Sequence, residues 1–243
     1  MIDTEYERSL FRLGGASAVV GSLLAGVGNL LHPVTPIDDP EGVARVIADS
    51  EIWVAVHLVI VLGLVLMLGG LVALYHSIRG GIAGVLARFG LFAAVAGATI
   101  GVADVLMDGV GARQLAQEWA AAPAAQKATA LSLVQVNETI NFALAVGLNF
   151  IFAAVTFILF GLAVALSDVY PRWLGWVAFL AGLASIGAGL VQATVGEPTD
   201  ASRILTIIGP TVITLWLLVV GILMWRRGSR MLLSRTATEV AGR

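Results

Sequence analysis

Six stretches of this chain stay apolar for about 20 residues each, the length an α-helix needs to cross roughly 30 Å of hydrocarbon. That pattern dictates a polytopic, all-α membrane protein of six transmembrane helices. The runs cover about Leu13 to Leu31, Ile52 to Tyr75, Val85 to Asp108, Ile140 to Leu166, Trp173 to Val195 and Ile204 to Trp225. Backbone breakers punctuate them: Pro33 after the first, Gly80-Gly81 after the second, Gly109 and Gly111 after the third. Pro171 and Pro198 follow the fourth and fifth, and Pro210 is expected to kink the sixth.

Composition agrees. Of 243 residues 58% are hydrophobic and 12% charged, about half the roughly 25% charged residues of a soluble domain. The net charge of −2 provides no basic field for nucleic acid. With no cysteine in the chain, disulfides, thiolate metal sites, iron–sulfur clusters and cysteine nucleophiles are all excluded. The 28 glycines suit close helix–helix contact in lipid.

Arginine placement orients the spans. Arg8, Arg12, Arg79, Arg88, Arg172, Arg226, Arg227, Arg230 and Arg235 fall on one side. The other side holds Arg45, Arg113, Lys127 and Arg203 among Asp38, Asp39, Glu41, Asp49, Glu51, Glu118, Glu197 and Asp200. The positive-inside rule then puts both termini in the cytoplasm, N-in/C-in, in the inner membrane of a prokaryote. Residues 1–12 read as a cytoplasmic lead-in and not as a cleaved signal peptide, 13–225 as the six-helix domain and 226–243 as a cytoplasmic tail. Trp173 and Trp225 fit an inner aromatic belt and Trp53 an outer one.

The outer connections span 33–51, 109–138 and 196–203. The first is expected to carry a short amphipathic helix over Gly42 to Ala48. The second reads as a helical hairpin broken at Pro123, extending the third and fourth spans or lying on the membrane surface. Inner connections are short, so function is expected to face outward. Glycines at 14, 21, 26 and 28 recur at 175, 182, 187 and 189 with identical spacing. This suggests either a parallel repeat of spans one and five or two small-residue packing seams, which could also face another membrane subunit or a second copy.

Ionisable residues within spans are costly and point to function. Counting the helical rise from the arginine-rich end places His32, His57, Asp108 and Gln192 near the outer boundary, with Asp104 one turn inside. The fourth span brings Glu138 and Asn141 to the same layer, with Asn149 deeper on one stripe. Asn137 is expected in the external extension. Three readings compete. His32, His57, Asp104, Asp108 and Glu138 form a donor set suited to zinc, manganese or iron, structural or activating water for hydrolysis. His32 and His57 could instead be axial ligands of a b-type haem. The third reading is a self-satisfied polar network, with His32 capping its helix and His57 paired to Asp104 or Glu138, or a vestibule for a small ligand. Sequence alone favours this last reading over divalent metal or haem. His76 lies at the inner end and belongs to no such site.

Phosphate-loop, GxSxG and GxGxxG motifs are missing. The only lysine, Lys127, is external, so no Schiff base can hold retinal.

GNLLHP at 28–33, WVAVH at 53–57, LVALYHSIRG at 71–80, PRWLGWVAFLAGLASIGAG at 171–189 and MWRR at 224–227 together resemble a group of uncharacterised prokaryotic six-helix membrane proteins, known as domains of unknown function. The resemblance covers most of the chain and implies the helix count but no activity. The expectation is a non-enzymatic membrane protein that binds a small ligand, resembles a transporter or serves as an accessory subunit. The alternative is a membrane metalloprotein, such as a hydrolase.

Overall fold

The computed structural model describes residues 4–195 and 200–241, and the described residues are helical without strands. Nine α-helices follow in chain order: α1 (Thr4–Leu31), α2 (Pro40–Asp49), α3 (Trp53–Ser77), α4 (Gly81–Leu106), α5 (Arg113–Ala121), α6 (Lys127–Gly147), α7 (Phe157–Ala165), α8 (Arg172–Val195) and α9 (Asp200–Ala241). Two π-helical segments, Met107–Ala112 and Leu148–Thr156, join α4 to α5 and α6 to α7 without a break. Six continuous rods long and apolar enough to cross a membrane result. An even number puts both ends of the chain on one side of the bilayer.

The third and fourth rods run about 40 residues each, well beyond the hydrocarbon. Gly109 and Gly111 were expected to end the third helix, yet they lie inside its π-helical segment. Both sit where a neighbour comes close. A Cβ on Gly109 would collide with the Cβ of His57, and one on Gly111 would stand 3.2 Å from the Asn137 carboxamide oxygen. Their small size permits contact there, and no turn is made. The helix instead ends at Ala121, before Pro123, and α6 returns from Lys127 as the expected hairpin.

α2 packs across this hairpin. Asp38 reverses the chain with a positive φ of 59°. Asp39 then caps the helix through its carboxylate and the Gly42 amide at 2.9 Å, with Pro40 in the first turn. Ala44 and Ile47 on the buried face of α2 meet Ala112, Ala116, Trp119 and Val134. Two basic residues of this end serve as helix caps. Arg113 donates to the Ile47 carbonyl near the α2 C-terminus. Lys127 donates to the Trp119 and Ala120 carbonyls at 2.6 and 3.1 Å and covers the Trp119 ring.

Inside the bundle α1 packs on α3 and α9, and α7 packs on α8. Gly14, Gly21 and Gly28 face Ala73, Gly63 with Met67, and Ile60 of α3. Gly175, Gly182 and Gly189 face Gly161 with Ala165, Ile158 and Phe150 of the fourth rod. Six of the eight seam glycines are therefore packed by the chain's own helices. The corresponding pair Gly26 and Gly187 stays open: one meets only a Thr214 methyl at 3.9 Å, and the other has no neighbour within 4 Å. α9 runs through Pro210 as one helix. The expected outer connection at 196–203 lies outside the described residues over 196–199, and Glu197 with it.

Candidate metal centre

His32 follows the last residue of α1, His57 sits one turn into α3, and Asp108 is the second residue of the π-helical segment after α4. One helix end, one helix start and the middle of the long third rod meet at this point. Pro33 stops α1 right after His32, and the close Gly109–His57 contact pulls the third rod against α3 beside Asp108.

The three side chains converge. His57 Nε2 lies 3.1 Å from Asp108 Oδ2 and 3.2 Å from His32 Nε2, and His32 Nε2 lies 3.7 Å from the same carboxylate oxygen. A triangle with these sides has a circumscribed radius of about 1.95 Å. A single point just off its plane is therefore about 2.0–2.1 Å from all three atoms, the bond length of a transition metal to imidazole nitrogen or carboxylate oxygen. His57 is 2% exposed, while His32 and Asp108 are 29% and 25% exposed, so the convergence point is reachable from one side.

The second nitrogen of each ring fixes what the first can do. His57 Nδ1 meets the Trp53 carbonyl at 2.6 Å, and His32 Nδ1 meets the Pro33 carbonyl at 2.9 Å. A carbonyl only accepts, so both Nδ1 atoms carry the proton, and in the neutral ring both Nε2 atoms present bare lone pairs. With both rings neutral, two lone pairs and a carboxylate face one point, whereas a protonated ring would place one Nε2–H donor among them. Backbone carbonyls on the far nitrogens of ligating histidines are the usual outer shell of a metal site.

Trp53 holds this arrangement from two sides. Besides accepting from His57, its indole Nε1 donates to the Asp108 backbone carbonyl at 2.9 Å. Its ring packs 4.9 Å from the centroids of both His32 and His57. The expectation that Trp53 belongs to an outer aromatic belt is corrected, for it is 1% exposed. Its place one turn before His57 was the only sequence signal of this role. Trp173 and Trp225, by contrast, are exposed at the opposite end.

The remaining candidates stand around the triad. Asn141 donates to the Asp104 carboxylate at 3.0 Å and to its carbonyl at 2.9 Å in the amide orientation that satisfies both groups. Asp104 and Glu138 lie within electrostatic range of Asp108. One carboxylate oxygen of Glu138 is buried without a hydrogen-bond partner. Glu138 and Asn141 also line a cavity of about 330 Å³ with Pro36, Asp39, Val134 and Phe142, between the α2 approach and α6. Neither Asp104 nor Glu138 joins the triad's convergence point.

Gln192 is drawn elsewhere, accepting from Asn149 at 2.7 Å between α8 and the second π-helical segment. Asn137, expected outside, is buried against Gly111, and its amide nitrogen lacks a partner. His57 pairs with Asp108 and His32, not with Asp104 or Glu138. Axial haem ligation does not fit this geometry. Trans imidazoles need about 4 Å between nitrogens, two metal bonds end to end, whereas these lie 3.2 Å apart with a carboxylate beside both.

Fold and site together define a six-span helical membrane protein with a histidine–carboxylate cluster at one end of its bundle. Residues 13–221 match the domain of unknown function DUF4386, and the chain belongs to that family. No curated protein and no solved structure matches it.

Proposed function

We propose that this protein is a metal-binding membrane protein of the prokaryotic inner membrane, N-in/C-in, holding one divalent transition metal through His32, His57 and Asp108 at its extracytoplasmic end. The observation that carries the reading is the convergence of two carbonyl-fixed imidazoles and a carboxylate on one point, where no donor stands among them when both rings are neutral. A proton could bridge only one pair of these acceptors at a time. A dication serves all three. Two imidazoles and one carboxylate suit zinc and iron(II), and three protein ligands leave at least one coordination position open. An open position favours a centre that handles a ligand or water over a purely structural one. The surplus of arginines at the opposite end supports the orientation.

The test is elemental analysis of the full-length protein purified in detergent and reconstituted with zinc or iron(II). About one metal per chain is expected, lost in His57→Ala and in Asp108→Asn while the protein stays helical. A folded wild-type protein that retains no transition metal would leave a shared proton in its place and end this reading.

The cavity between the α2 approach and α6 supports a second reading, in which a small ligand is bound beside the centre. Its apolar walls and the unpartnered Glu138 oxygen suit a compact amphipathic molecule. Widening or filling it through Phe142→Ala or Ala145→Phe would alter ligand affinity and leave the metal content at one per chain.

A further inference from the structure

We propose that the arginine-rich end carries a binding site for the phosphate headgroup of an anionic phospholipid, in the cavity between the α7–α8 connection and α9. This site lies at the other end of the bundle and does not depend on the metal centre. The cavity holds about 730 Å³ and is lined by Asp168, Val169, Tyr170 and Pro171 on one side and by Arg226, Arg227 and Arg230 on the other, with Leu223 at its base. It opens to the surface, so a headgroup can enter it.

Its arginines carry more positive charge than nearby acids neutralise. Glu7 pairs with Arg79 at 2.9 Å, Glu5 with Arg8 at 3.7 Å, and Asp168, the only acid in the lining, with Arg172 at 3.3 Å. Among the described residues no carboxylate stands within ion-pair distance of Arg226, Arg227 or Arg230. Three guanidinium groups within about one turn of one helix, at 226, 227 and 230, repel each other and gain from a shared anion. Guanidinium forks match phosphate oxygens two at a time, which ammonium groups do not.

The walls are fixed, so the site is formed before any anion arrives. The Tyr170 phenol donates to Ser77 Oγ at 2.9 Å, and Ser77 donates to the Leu74 carbonyl at 2.6 Å. Burial pushes the Tyr170 hydroxyl up from its ordinary pKa, which keeps it a neutral donor. Arg227 lies over the Phe11 ring at 5.0 Å, leaving Arg226 and Arg230 exposed toward the cavity mouth. Trp173, Trp176 and Trp225 are exposed at this same end, where indole rings settle at headgroup depth. A phosphate held at that depth, beside rings that seat among acyl chains, belongs to a lipid more readily than to a free ion. Basic pockets between helix ends bind anionic headgroups in just this way.

The experiment uses the full-length protein in mild detergent, titrated separately with short-chain phosphatidylglycerol, short-chain phosphatidylcholine and inorganic phosphate. Bound lipid is read by native mass spectrometry and stability by thermal unfolding. Phosphatidylglycerol is expected to stay bound and raise Tm, with phosphatidylcholine and millimolar phosphate doing neither. Arg226→Gln combined with Arg230→Gln should weaken phosphatidylglycerol binding roughly thirtyfold, while Arg88→Gln, at the same end but outside the cavity, should bind as wild type does. Equal retention of the two lipids overturns the proposal. So does an equal loss in Arg88→Gln, which would mean diffuse charge attraction. An equal Tm rise with inorganic phosphate would assign the site to a soluble anion instead.

Discussion

His57 divides its labour between two nitrogens, one committed to the Trp53 carbonyl and the other to the convergence point. Trp53 therefore controls both the tautomer of His57 and, through its indole, the position of Asp108. Replacing it by Phe keeps the backbone carbonyl and most of the packing but removes the indole donor. Trp53→Phe should weaken metal affinity by roughly 10–100-fold, as loss of an outer-shell partner does, with the metal titrated against a competing chelator. An unchanged affinity would show that Asp108 needs no such anchor. At this scale the sequence was partly legible. Depth counting brought His32, His57 and Asp108 to one layer because helical rise is uniform. It also drew in Gln192, which shares the depth but bonds Asn149 on the adjoining rod. Depth says nothing about azimuth, and azimuth decides who touches whom. Trp53 was misread because exposed interfacial tryptophans are common, and nothing local distinguishes one buried between two imidazoles.

A π-helical segment amounts to one extra residue accommodated in a helix, often at a functional site. Here Met107–Ala112 contains Asp108, which faces the histidines, and runs directly into Arg113, which reaches the end of α2. Deleting Val110, an exposed residue within it, should restore α-helical geometry and rotate everything beyond by about 100°. The expected product keeps its far-ultraviolet helical signal and loses bound metal, since Asp108 and the α2 contact can no longer both be held. Gly109→Val makes the complementary prediction. Its side chain has no room against His57, so metal binding should fall along with stability, by about 1–3 kcal/mol for overpacking. From the sequence, Gly109 and Gly111 read as a helix end, because glycine as breaker and glycine as close-contact residue look alike until the neighbour is known. The α2 helix and the 112–135 hairpin were legible, since capping Asp39-Pro40 and the break at Pro123 carry their own local chemistry.

At the scale of the whole molecule, the helix count came directly from apolar run length, and the arginine surplus gave the bundle a direction. The pairing of spans did not follow, because seven-residue glycine spacing marks a seam without naming what fills it. The absence of cysteine makes the direction testable. Ala125→Cys at the hairpin tip and Asp168→Cys on the α7–α8 connection would be the sole thiols of their chains, both exposed. An impermeant maleimide should label Ala125→Cys on intact spheroplasts and Asp168→Cys only after permeabilisation; the reverse pattern would invert the orientation. Metal added at about 100 times its Kd should stabilise the native fold by about 2.7 kcal/mol, visible as a Tm rise absent in His57→Ala. The positions of the three ligands also bear on how the protein is made. All lie within the first 108 residues, on the first three spans, so the centre can close once the third helix is inserted. At about 5–20 residues per second, the ribosome then works for on the order of ten seconds more on the remaining spans. A metal captured in that interval would staple the first half of the bundle before the second half exists to pack against it.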